Sequence, residues 1–393
     1  MKDLFLRKGA DHRLRGGHLW VYSNEVDSQR SPLVGFGAGD LVVVRNTNGR
    51  ILGSAYMEPN SLICARVYAP DEHRVMDAEL FGVRLRAALA IRQTAFDKPF
   101  YRLVYGDSDL LPGLVIDRFG EVLVVQLNNS GVERYREPLL QALITTLAPS
   151  GILLRADSRS RREQGLPTDS EVVYGEVPQQ VSLEENGVQF LAPVYDGQKT
   201  GWFYDHRLSR ARLAPWVAGK SVLDVYSYIG GWGVQAAVFG ASAVCCVDAS
   251  AQALEGVAAN ARLNQQQDRV TTRRGSAPEV MASMQAEGEL YDVVILDPPA
   301  FIQRKKDIKK GIAAYRRINE LGLQLLQPGG LLVAASCSMH LSRAELMAAL
   351  QHAAVRAGCQ VRVIEQGAQG ADHPIHPAIP ETEYLKAVFV RKL

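Results

Sequence analysis

The sequence predicts an α/β protein whose C-terminal part is a doubly wound, seven-stranded sheet, preceded by a small β-rich region and a small α+β region. Three observations carry this. From about Val222 onward, apolar runs alternate with helical stretches, as a parallel sheet with crossover helices requires. From Leu4 to about Ala69 the apolar runs are short and separated by turn residues, the pattern of a β-rich domain. Between them, helical and hairpin signals mix. A chain of 393 residues, at about 150 per domain, has room for two to three domains. The expected boundaries are 1–70, 71–188 and 189–393.

The first region holds Leu41-Val-Val-Val44 and Ile51-Leu52 around the turn Asn46-Thr-Asn-Gly49. In the second, Ala78 to Thr94 has helical spacing. Leu114-Val-Ile-Asp117 and Val122-Leu-Val-Val-Gln126 flank a hairpin turn, and a helix over about Val132 to Leu147 precedes the strand Ile152–Arg155. A polar stretch from Asp157 to Asp169 and the turn Glu184-Glu-Asn-Gly187 lead into the third region. There the strands are Val222–Val225, Val244–Val247, Val270–Thr272, Val293–Leu296, Leu331–Ala335, Val361–Glu365 and Tyr384–Val390. Helices are expected at Ala251–Leu263 and Ile318–Leu326. Ligands of such sheets bind at the carboxyl ends of the strands.

Composition narrows the class. With 47% hydrophobic and 22% charged residues the chain is of globular type, and a net charge of +2 means that any affinity for a polyanion must come from local arrangement. Five cysteines without a CxxC pair suggest neither a disulfide scaffold nor structural zinc, which favours the cytoplasm. The uncharged run Val225–Val247 is interrupted by glycines and reads as strand, loop, helix and strand, with no membrane span. Asp372-His373-Pro-Ile-His376 is broken by prolines and reads as a loop holding no metal.

The strand ends carry the candidate chemistry. After Asp224 comes Tyr226-Ser-Tyr-Ile-Gly230-Gly231-Trp-Gly233, a glycine-rich turn that lets a ligand approach backbone amides. Asp248 ends the next strand, where a carboxylate can accept from both hydroxyls of a ribose. Gly231-x-Gly233-x-x-Ala236 formally fits a dinucleotide fingerprint but begins several residues too late. Asp297-Pro298-Pro299-Ala-Phe301 makes a stiff loop that projects an acid beside an apolar surface for a planar ring. Ser336-Cys337-Ser338 ends the following strand. A lone cysteine there is more often packing than chemistry, but a position at a strand end like that of Asp297, beside the glycine-rich turn, shifts the odds towards chemistry.

These motifs, with Lys199-Thr-Gly-Trp-Phe-Tyr-Asp205-His-Arg207 and Leu111-Pro-Gly-Leu-Val-Ile-Asp-Arg-Phe119, resemble the RlmI-type 23S ribosomal RNA (cytosine-5) methyltransferases. Lys8-Gly and Gly17-His18-Leu-Trp20-Val resemble that family's N-terminal PUA domain, an RNA-binding β-barrel. The similarity spans nearly the whole chain. It implies a Rossmann-like methyltransferase sheet that uses S-adenosyl-L-methionine (SAM), with Lys199, Thr200, Asp205, Arg207, Asp224, Tyr226, Gly230, Gly231, Asp248, Ser276 and Asp297 around the cofactor. Cys337 is the implied nucleophile towards cytosine carbon 6. Asp297 is the implied acid towards ring nitrogen 3 and the exocyclic amine. Pro298, Pro299, Phe301, Arg304, Lys305 and Lys306 are expected on the RNA side. Large-subunit ribosomal RNA is the expected partner, and a homodimer is left open.

Two departures stand out. Ala300 follows the prolines where two-cysteine enzymes carry a cysteine, and Ser276 stands where methyltransferases commonly place an acid near adenine. The basic run Arg304–Lys310 with Arg316 and Arg317, and a second group over Arg155–Arg162, suit an RNA phosphate track. Two other readings fit parts of the pattern: a nucleotide-dependent oxidoreductase, and a non-catalytic RNA-binding ribosome assembly factor.

Overall fold

The computed structural model describes residues 1–393, which divide into two compact units. Met1–Val181, Pro193–Tyr204 and Ala371–Thr382 form the first; Ser182–Ala192, Asp205–Gly370 and Glu383–Leu393 form the second. No helix is long and apolar enough to cross a membrane.

In the first unit, β1 (Lys2–Phe5), β2 (Trp20–Tyr22), β3 (Leu41–Arg45), β4 (Ile51–Met57) and β5 (Ile63–Pro70) make a sheet in the order β1-β3-β4-β5-β2. A bridge between Leu6 and Val26, flanked by Arg7 N–H donating to the Glu25 carbonyl at 2.8 Å, joins extensions of the two edge strands. The sheet thereby closes as a small barrel, which removes free edges. Leu4, Val21, Val42, Val44, Ala55 and Val67 fill it.

A second sheet follows in the same unit: β6 (Phe100–Tyr105), β7 (Leu114–Phe119), β8 (Val122–Leu127), β9 (Gly151–Leu154) and β10 (Glu171–Gly175), in the order β10-β9-β8-β7-β6. Leu80, Phe81 and Leu85 of the helix Ala78–Ala95, with Leu139 and Leu143 of the helix Arg136–Leu147, pack on Ile116, Leu123 and Val125. The single helix expected over Val132–Leu147 is two, Ser130–Glu133 and Arg136–Leu147.

One expectation fails here. Arg155 and Arg161 are each only 1% exposed, so they cannot line a phosphate track. Arg155 pairs with Asp157 at 2.7 Å, and Arg161 holds Glu133 and donates to the Leu127 carbonyl at 2.7 Å. These guanidiniums satisfy buried acceptors, and only Arg159 and Arg162 of the group stay on the surface.

The second unit opens with the hairpin of β11 (Gln180–Glu185) and β12 (Val188–Pro193), turned by Asn186 at φ +55° and Gly187 at φ +79°. Asn260 Oδ1 accepts from Leu191 N–H at 2.8 Å and ties the hairpin to the helix Ala251–Leu263. Then come β13 (Ser221–Val225), β14 (Ala243–Asp248), β15 (Val270–Arg274), β16 (Tyr291–Leu296), β17 (Leu326–Ser336), β18 (Val361–Gly367) and β19 (Lys386–Lys392). They form one sheet in the order β15-β14-β13-β16-β17-β19-β18, with β19 antiparallel to both neighbours.

All seven expected strands are present. The helix expected at Ile318–Leu326 instead runs over Ile308–Gln324, because the basic run dilutes the apolar period of its first turns. Leu223, Val225, Val294, Leu296, Leu332 and Val388 form the centre of the core.

Candidate active site

The carboxyl ends of β13, β14, β16 and β17 build the site. After β13 the chain turns through Tyr226 (φ +68°), Tyr228 (φ +49°) and Gly230 (φ +88°). Left-handed backbone costs a tyrosine on the order of 1 kcal/mol, so neighbours must hold the turn. Tyr226 N–H donates to the Val247 carbonyl at 2.9 Å, and Tyr228 N–H to Asp248 Oδ2 at 3.0 Å. Gly230 N–H donates to the Ser227 carbonyl at 2.8 Å. Further along, Gly233 N–H donates to Asp224 Oδ2 at 2.8 Å. A Cβ at 233 would stand 2.5 Å from Cys246 Sγ and 2.9 Å from Asp224 Oδ2, so glycine is required there.

Asp224 is fully buried, and burial pushes its carboxyl up to about 7. Its Oδ1 has no protein partner, nor has the buried hydroxyl of Ser227. At the end of β14, Asp248 Oδ1 accepts from Ser250 N–H at 2.9 Å, and Gly275 N–H donates to the Asp248 carbonyl at 3.1 Å. This second bond brings Ser276, exposed at the start of the helix Ala277–Ala286, to the same rim. An orphaned buried acceptor, a glycine-rich turn and a strand-end carboxylate suit a ligand that carries a ribose diol and positive charge, as SAM does.

β16 delivers Asp297. Its Oδ2 accepts from Trp232 Nε1–H at 2.9 Å, and its Oδ1 lies 3.1 Å from His206 Nε2. Burial pushes the Asp297 carboxyl up, but His206 and Trp232 outweigh it and hold the group below its ordinary value. Burial pushes His206 down, and Asp297 outweighs that and raises it. Both directions describe one buried ion pair. Sequence reasoning misses His206 and Trp232 as site residues, although each lies inside one of the motifs quoted above.

β17, paired in parallel with β16 through Leu296 and Ala334, delivers half-buried Cys337. A hydroxyl cluster joins the two loops. Ser336 Oγ donates to Tyr315 Oη at 2.8 Å, Tyr315 Oη lies 2.9 Å from Ser338 Oγ, and Ile302 N–H donates to Ser338 Oγ at 3.2 Å. Burial pushes the other thiols up: Cys64 to about 12, with Cys245, Cys246 and Cys359 also raised.

The remaining candidates divide. Pro299 is exposed and Phe301 half-buried, its ring 4.8 Å from that of Tyr315, but Pro298 is buried and offers no surface. Arg304, Lys305 and Lys306 are exposed beside the Asp297 loop, and Lys309, Lys310, Arg316 and Arg317 continue the exposed basic residues along the helix. Asp205 accepts from Tyr384 Oη at 2.6 Å. Arg207 lies 3.7 Å from Glu185, which also takes Arg210 at 2.6 Å and Gln235 at 2.9 Å. Lys199 and Thr200 belong to the first unit. There Thr200 donates to Asp117, and the Lys199 ammonium lies over the Phe203 ring at 4.9 Å.

Comparison with known proteins fits this arrangement. The S-adenosylmethionine-dependent methyltransferase family matches residues 119–390, and a PUA-like domain family matches residues 4–70. Ribosomal RNA large subunit methyltransferase I of Shewanella denitrificans is 35% identical over 98% of both chains. Its counterpart in Aliivibrio fischeri is 34% identical over 99% of both. The structure of SMU.776 complexed with SAH superposes over 100% of both chains with a TM-score of 0.85 at 21% identity, which supports the fold. Membership of a SAM-dependent family removes the oxidoreductase reading. The chain belongs to the S-adenosylmethionine-dependent methyltransferases, in the family of ribosomal RNA large subunit methyltransferase I.

Proposed function

We propose that this protein makes 5-methylcytosine in 23S ribosomal RNA through a covalent adduct on Cys337. The observation that carries this reading is the joining of the Asp297 and Cys337 loops, side by side on parallel strands, by the Tyr315 hydroxyl cluster. SAM, when bound, supplies an electrophilic methyl group; Asp248 would take its ribose, and Asp224, Tyr226, Gly230 and Gly231 would shape its seat. Ser276 is assigned to the adenine side. Lys199, Thr200, Asp205 and Arg207 are assigned to the cofactor by resemblance alone.

Carbon 5 of cytosine is a poor nucleophile until a thiolate adds at carbon 6 and leaves enamine density on carbon 5. Cys337 forms that bond. Because Asp297 is ionised, it accepts from the exocyclic amine, and the proton offered to ring nitrogen 3 comes from the Asp297–His206 pair. After carbon 5 gains the methyl group, a water molecule acting as base takes its proton, and elimination returns the thiolate. The base must leave its stack to enter, and Pro299 and Phe301 offer it an apolar face.

Arg304, Lys305 and Lys306 would take flanking phosphates. Cations at the first turns of the helix Ile308–Gln324 oppose its dipole, so they weaken the fold locally and are better explained by a polyanion. Residues 1–70 are assigned a second grip on the RNA.

The test is methylation of 23S RNA by Cys337→Ala, together with adduct formation on RNA carrying 5-fluorocytosine at the target. Loss of methylation with SAM binding intact, and a wild-type adduct mapped to Cys337, are expected. Methylation by the variant, or an adduct at another residue, overturns the assignment.

A further inference from the structure

Lys386 opens β19 directly opposite Ser336, the residue before Cys337. It is only 5% exposed. Its ammonium donates to the carbonyls of Ser338 at 2.8 Å and Leu341 at 2.7 Å, the two ends of the turn that follows Cys337. Carbonyls solvate a buried cation but do not neutralise it, and no carboxylate comes within ion-pair distance of this one. A buried charge without a counter-charge is costly, and the cost falls if an anion forms beside it.

The charged and titratable groups that face Lys386 come from three elements. Cys337 lies at the end of β17, Arg343 and Glu345 on the helix Arg343–Arg356, and Glu383 in the approach to β19. Cys337, Glu383 and Glu345 favour the ammonium, Cys337 the most, and Arg343 opposes it; Tyr315 also feels the charge of Cys337. Burial dominates and lowers Lys386 to about 8. The group is therefore mostly cationic at neutral pH, and a negative sulfur beside it would relieve its isolation.

We propose that Lys386 is a positioning residue for Cys337, fixing the Ser338–Leu341 turn and serving as counter-cation to the Cys337 thiolate. This rests on the reading of Cys337 as nucleophile. It assigns Lys386 no contact with RNA or cofactor. The thiol proton leaves to solvent, and the ammonium keeps its own three protons while two of them are held by carbonyls. A thiolate formed in this way reacts with any soft electrophile, so its presence can be read without RNA.

The experiment is alkylation of the full chain by iodoacetamide from pH 6 to pH 10, with modification of Cys337 followed by peptide mass spectrometry. Lys386→Met should slow alkylation of Cys337 at pH 7 by about tenfold and move the profile to the alkaline side, with rates converging at high pH. Lys386→Arg, which keeps the charge, should retain the fast rate at pH 7. Coincident profiles for wild type and folded Lys386→Met overturn the proposal. If Lys386→Met does not fold, folded Lys386→Gln takes its place, and a Lys386→Gln profile that coincides with wild type does the same. Methylation by Cys337→Ala is measured in parallel. Its persistence refutes the nucleophile while leaving the alkylation result to stand or fall by itself.

Discussion

His206 Nε2 lies 3.1 Å from Asp297 Oδ1, inside a site where neither side chain is more than 19% exposed. His206 is raised, so its share of stability is full below the ordinary value of 6.5 and is lost as pH rises through its higher folded value. Asp297 is lowered, so its share is full above the ordinary 3.8 and is lost as pH falls through its lower folded value. The pair is therefore strongest between those two ordinary values. His206→Asn should cost on the order of 3 kcal/mol in that window, because it strands a buried carboxylate, and less above neutrality. Urea unfolding across pH checks this; a pH-independent loss would count against the ion pair.

Asp248→Ala should weaken SAM binding more than Asp248→Asn. The carboxylate is assigned to the ribose and also holds Tyr228 N–H and Ser250 N–H, so its loss removes ligand bonds and loosens the turn. At roughly 1.5–3 kcal/mol per charge-assisted bond, the affinity should fall at least tenfold. Calorimetry with SAH measures it, and unchanged affinity would take Asp248 out of the cofactor seat.

Gly233→Ala should destabilise the second unit by about 1–3 kcal/mol, since the added methyl would meet Cys246 Sγ and Asp224 Oδ2 in a filled interior. Thermal unfolding reads this directly. A neutral effect would mean that the start of the helix can shift.

Replacing Lys305, Lys306, Lys309 and Lys310 together by Gln should reduce RNA affinity and flatten its salt dependence, by about one unit of slope for each phosphate no longer neutralised. The same change should leave the fold as stable or slightly more so, because four cations leave the start of a helix. Filter binding over a salt series and a melting curve test both signs. An unchanged slope would release this ridge from the RNA.

The strands of the second unit are legible in the sequence because each is a short apolar run between turn residues, and this holds even for Val270–Thr272 and Val361–Glu365 at the sheet's edges. Helix beginnings are less so. Lys309 and Lys310 hide the apolar spacing of Ile308, Ile312 and Tyr315, and periodicity cannot see past a charge run. Among candidate site residues, those on strand ends can be picked out from position alone. Trp232, His206, Tyr315 and Lys386 cannot, because what they do depends on partners up to 91 positions away, as with His206 and Asp297. Arg161 misleads for the same reason: Glu133, which neutralises it, lies outside the basic cluster.

The seating of β19 between β17 and β18 also sets when the enzyme can come to life. Leu331 pairs with Arg391, 60 positions along the chain, whereas β16 and β17 meet through a single helical crossover. Pairings of such long range pay their loop-closure entropy before any contact repays it, so they form late. Until β19 arrives, β17 lacks a neighbour on one side and the turn after Cys337 lacks its ammonium anchor. A maturing chain thus orders the glycine-rich turn after β13 before it orders the loop that carries Cys337.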